Sequence, residues 1–221
     1  MIGEVIFVTG IDTNIGKTYA TGYLAKRFAE EEGCSVITQK LIQTGNSGIS
    51  EDIITHRKIM GTGLLPEDLD GTTCPIVLSY PASPHLAAQI DKSHINLKKI
   101  QKTTATLRKK YDITLIEGAG GIMTPLAENY TTLDYIKEQG FPVFIVTSPR
   151  LGSINHTLMT LEMCRYARIE VKGVVYNMFN VEDELICEAT REYIKGYIEK
   201  HARSITWIEI IDGTVHAYGL S

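Results

Sequence analysis

Short runs of β-branched and aromatic residues recur along the chain, each ending at a glycine or a polar cluster. Val5-Ile6-Phe7-Val8-Thr9 is the first and stops at Gly10. Ser35 to Thr38, Ile113 to Ile116, Val143 to Val146 and Val171 to Tyr176 follow. Most are apolar on both faces, the pattern of strands covered by helices on either side. Between them lie longer segments whose apolar residues return with helical spacing. These predict helices over Lys17 to Glu32 (with Gly33 as the stop) and about Glu51 to Met60, Leu97 to Lys110, Thr132 to Gln139, Ser153 to Arg168 and Asp183 to Lys200. Strand and helix in alternation predict an α/β fold with a mostly parallel central sheet flanked by helices. Ligands then belong outside the C-terminal ends of the strands. No repeat, low-complexity tract or Pro/Ser-rich linker interrupts the pattern, so residues 1–221 are expected to form a single domain.

Composition narrows the function without naming it. A chain of 221 residues, 43% hydrophobic and 22% charged, can bury a substantial core. A formal charge of −4 argues against nucleic acid as the main partner. Cys34, Cys74, Cys164 and Cys187 form no Cys-x-x-Cys pair and read as reduced thiols. The six histidines show no metal-binding spacing of the His-Glu-x-x-His kind. The N-terminal segment lacks a basic stretch followed by a long apolar one, and no apolar run reaches the ~20 residues of a membrane helix. The expectation is a cytoplasmic protein that binds no membrane. Lys98, Lys99, Lys102, Arg108, Lys109 and Lys110 crowd one helical segment, which reads as a solvated face rather than an anion site.

The strongest chemical signal follows the first strand. Gly10-Ile11-Asp12-Thr13-Asn14-Ile15-Gly16-Lys17-Thr18 joins that strand to a helix. A phosphate-binding loop needs little side-chain bulk, so that backbone N–H groups can turn toward the anion, and the helix it opens presents its positive end. Lys17 is placed to reach the β- and γ-phosphates, and the Thr18 hydroxyl to ligate Mg²⁺. Five residues separate Gly10 from Gly16 where the common motif has four. The expected nucleotide-binding set runs from Asp12, Thr13, Asn14 and Ile15 through Gly16, Lys17 and Thr18 to Tyr19.

This longer loop resembles that of the dethiobiotin synthetase family, and the resemblance continues along the chain. Lys40 followed by Thr44, Ser50-Glu51-Asp52, Ser83-Pro84-His85, Glu117-Gly118-Ala119-Gly120-Gly121 with Thr124-Pro125-Leu126, Leu151-Gly152-Ser153-Ile154-Asn155-His156 and Val175-Tyr176-Asn177 are similar to the family's motifs and stand in its order. The likeness covers roughly residues 4–177.

The resemblance implies an ATP- and Mg²⁺-dependent cyclo-ligase of biotin biosynthesis that joins CO₂ to 7,8-diaminopelargonic acid. It implies a carbamate, its phosphorylation to a carbamic–phosphoric anhydride, and ring closure with loss of phosphate. Thr18, Asp52 and Glu117 would hold the metal. Lys17 and Lys40 would neutralise the transferring phosphoryl group and the carbamate, with Thr13 and Thr44 hydrogen-bonding the substrate. Gly118, Gly120 and Gly121 would bring backbone N–H groups close to the reacting centre. Gly152, Ser153, Ile154 and Asn155, at a helix start, would hold the substrate carboxylate, with Tyr193 in the same pocket. Glu117, Gly118 and Asn177 would join the nucleotide site, Asn177 bonding the adenine edge through its amide. The family's sites lie at a homodimer interface.

Two other readings were open. Switch ATPases that position septa or partition DNA carry a second lysine five residues before the loop lysine, where this chain has Asp12. Their membrane-binding members end in a basic amphipathic helix, whereas residues 212–221 here are neither basic nor helical by pattern. Amidating synthetases of cobalamin synthesis add a glutamine-hydrolysing domain for which 221 residues leave no room. The tail also departs from the family: Ser204-Ile205-Thr206-Trp207-Ile208 offers no proline, and Trp207 reads as core.

Overall fold

The computed structural model describes residues 2–31, 33–179, 181, 183–202 and 204–218. Glu32, at the expected end of the first helix, and the last three residues of the tail lie outside that set. The first half of the chain runs β1 (Glu4–Gly10), α1 (Lys17–Glu31), β2 (Val36–Lys40), β3 (Gln43–Thr44), α2 (Glu51–Met60), α3 (Pro66–Leu69), β4 (Val77–Leu78), α4 (Pro84–Ile90) and α5 (Leu97–Leu107). The second runs β5 (Ile113–Gly121), β6 (Pro125–Ala127), β7 (Tyr130–Thr131), α6 (Thr132–Gln139), β8 (Val143–Thr147), α7 (Ser153–Ala167), β9 (Val171–Asn177), α8 (Glu184–His201), β10 (Thr206–Ile211) and β11 (Thr214–Tyr218).

The main sheet has the order β11-β10-β9-β8-β1-β5-β2. Its pairs are parallel except β10 with β11. The α/β expectation is met. β1, β2 and β8 are buried along nearly their whole length, as strands covered on both faces must be. Two short ribbons, β3-β4 and β6-β7, stand apart from the main sheet.

Local chemistry sets the helix ends. Ser50 caps α2 by accepting from Ile53 N–H, and Gly61 closes it at φ +70°. Thr131 and Asp134 form a capping box at α6, and Gly140 ends that helix in the left-handed region. α5 stops at Leu107 rather than Lys110, and its lysines at 98, 99, 102, 109 and 110 are exposed. The solvated face has ties of its own: Lys99 donates to Pro75 O at 2.8 Å, and Lys110 pairs with Glu67.

The tail supplies two strands that the hydrophobic pattern did not suggest. β10 lies parallel to β9, and Trp207 is fully buried on it. Its ring stacks on Tyr176 at 5.5 Å between centroids, and its indole N–H donates to Glu209 Oε1 at 2.7 Å. Burial of an indole needs such a partner, and Glu209 supplies it from the same strand. Cys74, Cys164 and Cys187 are buried thiols outside any disulfide.

The register carries the fold toward chemistry. Lys40, the last residue of β2, is the cross-strand partner of Glu117 on β5, and Val8 on β1 is the partner of Glu117 on its other side. The ends of β1, β2 and β5 therefore meet at one edge, beside the loop that opens α1.

Candidate active site

A cleft of about 680 Å³ lies over that edge. Thr13, Asn14, Ile15, Gly16, Lys17, Thr18 and Tyr19 form one wall, and Lys40, Thr44, Asp52, Glu117 and Gly120 face them. The loop bends through Asn14 at φ +57° and Gly16 at φ +81°. Gly16 has a second reason to be glycine, since a Cβ there would stand 2.0 Å from Asn177 Nδ2.

Asn177 ends β9 and is buried beneath the loop. Its Nδ2 donates to Ile15 O at 3.2 Å and lies 3.5 Å from Gly16 O. The amide nitrogen bonds the loop backbone. Asp12 also serves the loop. Its Oδ1 accepts from Thr13 N–H at 2.7 Å, its carboxylate pairs with Arg150, and its carbonyl accepts from Lys17 Nζ at 2.6 Å.

Three oxygen-bearing side chains converge beyond the loop. The Thr18 hydroxyl lies 3.1 Å from Asp52 Oδ1 and 3.0 Å from Glu117 Oε1. It has one hydrogen and can satisfy only one of them at a time. Lys40 Nζ lies 2.6 Å from Asp52 Oδ2 and 2.8 Å from Glu117 Oε1, and donates to Gly118 O at 3.1 Å. Glu117 is 1% exposed. Its Oε2 meets His56 Nε2 at 2.8 Å.

The charges follow from this packing. Burial would push the Glu117 carboxyl up, but Lys40 and His56 outweigh it and hold the group down at about 2. Burial would push the Lys40 ammonium down, but Glu117 and Asp52 hold it above its ordinary value. Lys40 is therefore a fixed cation and no general base. Lys17 goes the other way: burial and the charge of Lys40 bring it down to about 8. Two carboxylates, each about 3 Å from the Thr18 hydroxyl, make with it a set of hard oxygen donors of the kind Mg²⁺ takes. These residues fit that ion.

Other expected positions lie at the rim or outside. Gly120 lines the cleft at φ +67°, while Gly118 and Gly121 are in β5 behind it. Gly152 caps α7 at φ +93°, and Ser153 is buried with its hydroxyl 3.3 Å from Ser148 Oγ. Ile154 is half-buried and Asn155 exposed on the first turn, next to the rim residues Arg150 and Leu151. Tyr193 does not line this cleft. It sits exposed on α8, seven residues beyond the rim residue Ile186.

Two further residues belong to the site, His56 and Phe179. His56 stands four residues after Asp52, one turn along the same face of α2, and that spacing was visible. Phe179 stacks on Tyr19 at 5.1 Å at the cleft wall, a contact that no local pattern announces.

Comparison with known proteins decides the family. Residues 4–209 match a protein family described as an AAA domain. The chain is 49% identical over 211 residues to the ATP-dependent dethiobiotin synthetase BioD 2 of Pasteurella multocida, covering 96% of this chain and 98% of that protein. It is 55% identical over 185 residues to the protein of the same name from Haemophilus influenzae, covering 84% and 96%. The chain belongs to the dethiobiotin synthetase family. The likeness extends to the ATP-dependent dethiobiotin synthetase BioD of Chlorobaculum tepidum, at 47% over 91% of this chain and 84% of that one. Among solved structures, FlhF complexed with GMPPNP/Mg(2+) aligns with a TM-score of 0.56 at 12% identity, over 99% of this chain and 71% of that one. The MinC:MinD cell division complex of Aquifex aeolicus aligns with a TM-score of 0.56 at 16% identity, over 95% and 83%. Those two likenesses speak for the fold alone.

Proposed function

We propose that this cleft closes the ureido ring of dethiobiotin, using ATP, CO₂ and 7,8-diaminopelargonic acid. The protein is an ATP-dependent cyclo-ligase of biotin biosynthesis, and its relatives carry the name ATP-dependent dethiobiotin synthetase. The observation that carries the assignment of the site is the Lys40 ammonium held between Asp52 and Glu117, facing the loop that presents Lys17 and Thr18.

The chemistry divides among these residues as follows. One amine of the substrate adds to CO₂, losing a proton and giving a carbamate. A carbamate oxygen attacks the γ-phosphorus of ATP, and ADP leaves. The second amine attacks the carbonyl carbon of the mixed anhydride, and phosphate is expelled with loss of a proton. Both amines belong to one molecule, so closure needs no further encounter. Lys17, freed from the Asp12 carbonyl, meets the β- and γ-phosphates. Lys40 keeps its charge throughout and offsets negative charge on the carbamate and the moving phosphoryl group. Thr13 and Thr44 orient the diamine end, and the start of α7 from Gly152 to Asn155 receives the carboxylate. Thr18, Asp52 and Glu117 would hold Mg²⁺, which when bound draws charge from the β- and γ-phosphate oxygens.

The reading includes a homodimer in the cytoplasm, built from one domain per chain. Leu151 at the rim, Met159 and Tyr166 on α7, and Leu185 and Tyr193 on α8 are all more than half exposed. These apolar side chains lead away from the cleft mouth and suit a second copy of the chain, which would bring Tyr193 toward its neighbour's site. No helix among the described residues is long and apolar enough to cross a membrane.

The test is purified protein with diamine, bicarbonate, Mg²⁺ and ATP, with ADP measured and the product weighed by mass spectrometry. ADP formation that requires the diamine and yields one dethiobiotin per ADP is expected. Hydrolysis indifferent to the diamine would favour a nucleotide switch.

A further inference from the structure

Beneath the cleft lies a chain of buried polar groups that the reaction does not itself use. His56 is fully buried on α2. Its Nε2 meets Glu117 Oε2 at 2.8 Å and its Nδ1 meets Thr38 Oγ1 at 3.0 Å. Arg57 Nη1 donates to the same Thr38 oxygen at 2.9 Å. Asp68 takes two bonds from Arg57, from Nε and Nη2, each 2.9 Å. It accepts two more, from Thr73 Oγ1 at 2.7 Å and Leu65 N–H at 2.8 Å.

Donor counting places a hydrogen on His56 Nε2. An ionised carboxylate only accepts, so Nε2 carries the hydrogen toward Glu117. Arg57 only donates, so Thr38 accepts from it, and the same hydroxyl oxygen lies within hydrogen-bond distance of His56 Nδ1. Arg57, Thr38 and His56 thus form one series that ends at Glu117, and Asp68 fixes its far end.

We propose that His56 is a positioning residue for the metal and phosphate chemistry: it holds Oε2 of Glu117, so that Oε1 alone is presented to Thr18, Lys40 and the cation. This rests on the reading of Thr18, Asp52 and Glu117 as the metal site. The placement has a simple origin. Asp52 and His56 are one helical turn apart, so α2 delivers both a ligand and the brace for the opposing ligand. Without the brace a strand-end carboxylate can rotate and offer either oxygen. Partners of this outer kind typically matter 10–100-fold in metal affinity.

Two amide variants give a geometric test. Gln at position 56 places its nitrogen near the site of Nε2, within reach of Glu117. Asn places its nitrogen near the site of Nδ1, within reach of Thr38 only. Mn²⁺ affinity is measured by electron paramagnetic resonance in the presence of ADP, together with kcat, the KM for the diamine, and Tm. His56→Gln is expected to keep most of the wild-type Mn²⁺ affinity and kcat. His56→Asn is expected to lose on the order of 10–100-fold in affinity with a parallel fall in kcat and an unchanged diamine KM. A purely structural role would lower Tm in both and leave their Mn²⁺ affinities equal; equal affinities overturn the proposal. Wild-type protein that binds no Mn²⁺ with ADP removes the metal reading and the brace with it, whereas wild-type binding with equal variants sinks the brace alone.

Discussion

Lys40 and Glu117 are cross-strand partners at the C-terminal ends of β2 and β5, and their charged atoms lie 2.8 Å apart with both side chains almost fully buried. A parallel register therefore places a permanent cation against a permanent anion at the floor of the cleft. Removing the ammonium leaves the Asp52 and Glu117 carboxylates facing each other. Lys40→Ala is expected to reduce kcat by roughly 10²–10³-fold, the cost of losing one preorganised charge at a transition state. ATP binding should survive, because Lys17 and the loop backbone make the phosphate contacts. Single-turnover ADP formation and equilibrium binding of a nonhydrolysable ATP analogue separate the two effects. Undiminished turnover would take Lys40 out of the mechanism.

Asn177 distinguishes two ways of serving a nucleotide. Its Nδ2 bonds the backbone carbonyl of Ile15 under the phosphate loop. A residue that braces the loop should matter equally for every nucleoside triphosphate. Asn177→Ala is expected to weaken ATP, GTP and CTP binding alike, by roughly five- to tenfold for the loss of about 1–1.5 kcal/mol of hydrogen bonding. A loss confined to ATP would mean that the amide turns and reads adenine. Competition for a fluorescent ATP analogue by each triphosphate gives the answer.

Arg57 and Asp68 form a bidentate pair out of reach of water, both less than 5% exposed. Burial works to raise the Asp68 carboxyl, but the bonds from Arg57, Leu65 N–H and Thr73 overcome it and hold the group below its ordinary value. The sign follows: the stabilisation is present above the unfolded value, near 3.8, and is lost as pH falls through the lower folded value. Asp68→Asn leaves the Arg57 charge buried without its counter-ion. It is expected to cost about 3–5 kcal/mol in urea unfolding at neutral pH. It should also flatten the fall in stability below about pH 4, because the variant has no carboxyl there to protonate. A variant as stable as the wild type would show that water reaches Arg57.

Much of this architecture is legible in the sequence, for reasons that particular residues make plain. Glu51–Met60 and Thr132–Gln139 were readable to the residue because Ser50, Gly61, Thr131 and Gly140 mark their ends chemically. The core strands were readable because Val, Ile and Phe buried on two faces leave continuous apolar runs. β10 escaped notice because its partner residues in β9 come 33 positions earlier, and Trp207 alone says only that something covers it. α4 was visible as a Ser-Pro-His motif and not as a helix, since a seven-residue segment offers too little periodicity. The convergence of Thr18, Asp52 and Glu117 spans ninety-nine residues and depends on which strands are neighbours. Family resemblance suggested it, whereas His56, though spaced one turn after Asp52, needed the packed structure to show that it meets Glu117 on β5.

Tyr166 and Met159 lie seven residues apart on α7, two turns along one face, and are 85% and 60% exposed. Leu151, at the head of the same helix and 85% exposed, also lines the cleft, so this apolar face and the site share a border. A row of large apolar side chains left in water suits a covering surface, and a second copy of the chain would also carry Tyr193 toward its neighbour's site. A charge on such a face should oppose pairing without touching the core. Tyr166→Glu is expected to shift the protein from dimer to monomer in size-exclusion chromatography with light scattering. Its Tm, read at a concentration where both proteins are monomeric, should be nearly unchanged, because exposed substitutions cost within about 0.5 kcal/mol. The KM for the diamine should rise while binding of ATP to the loop stays close to wild type, because the partner is expected to reach the carboxylate end and not the phosphates. A variant that remains dimeric with an unchanged KM would move the interface off α7.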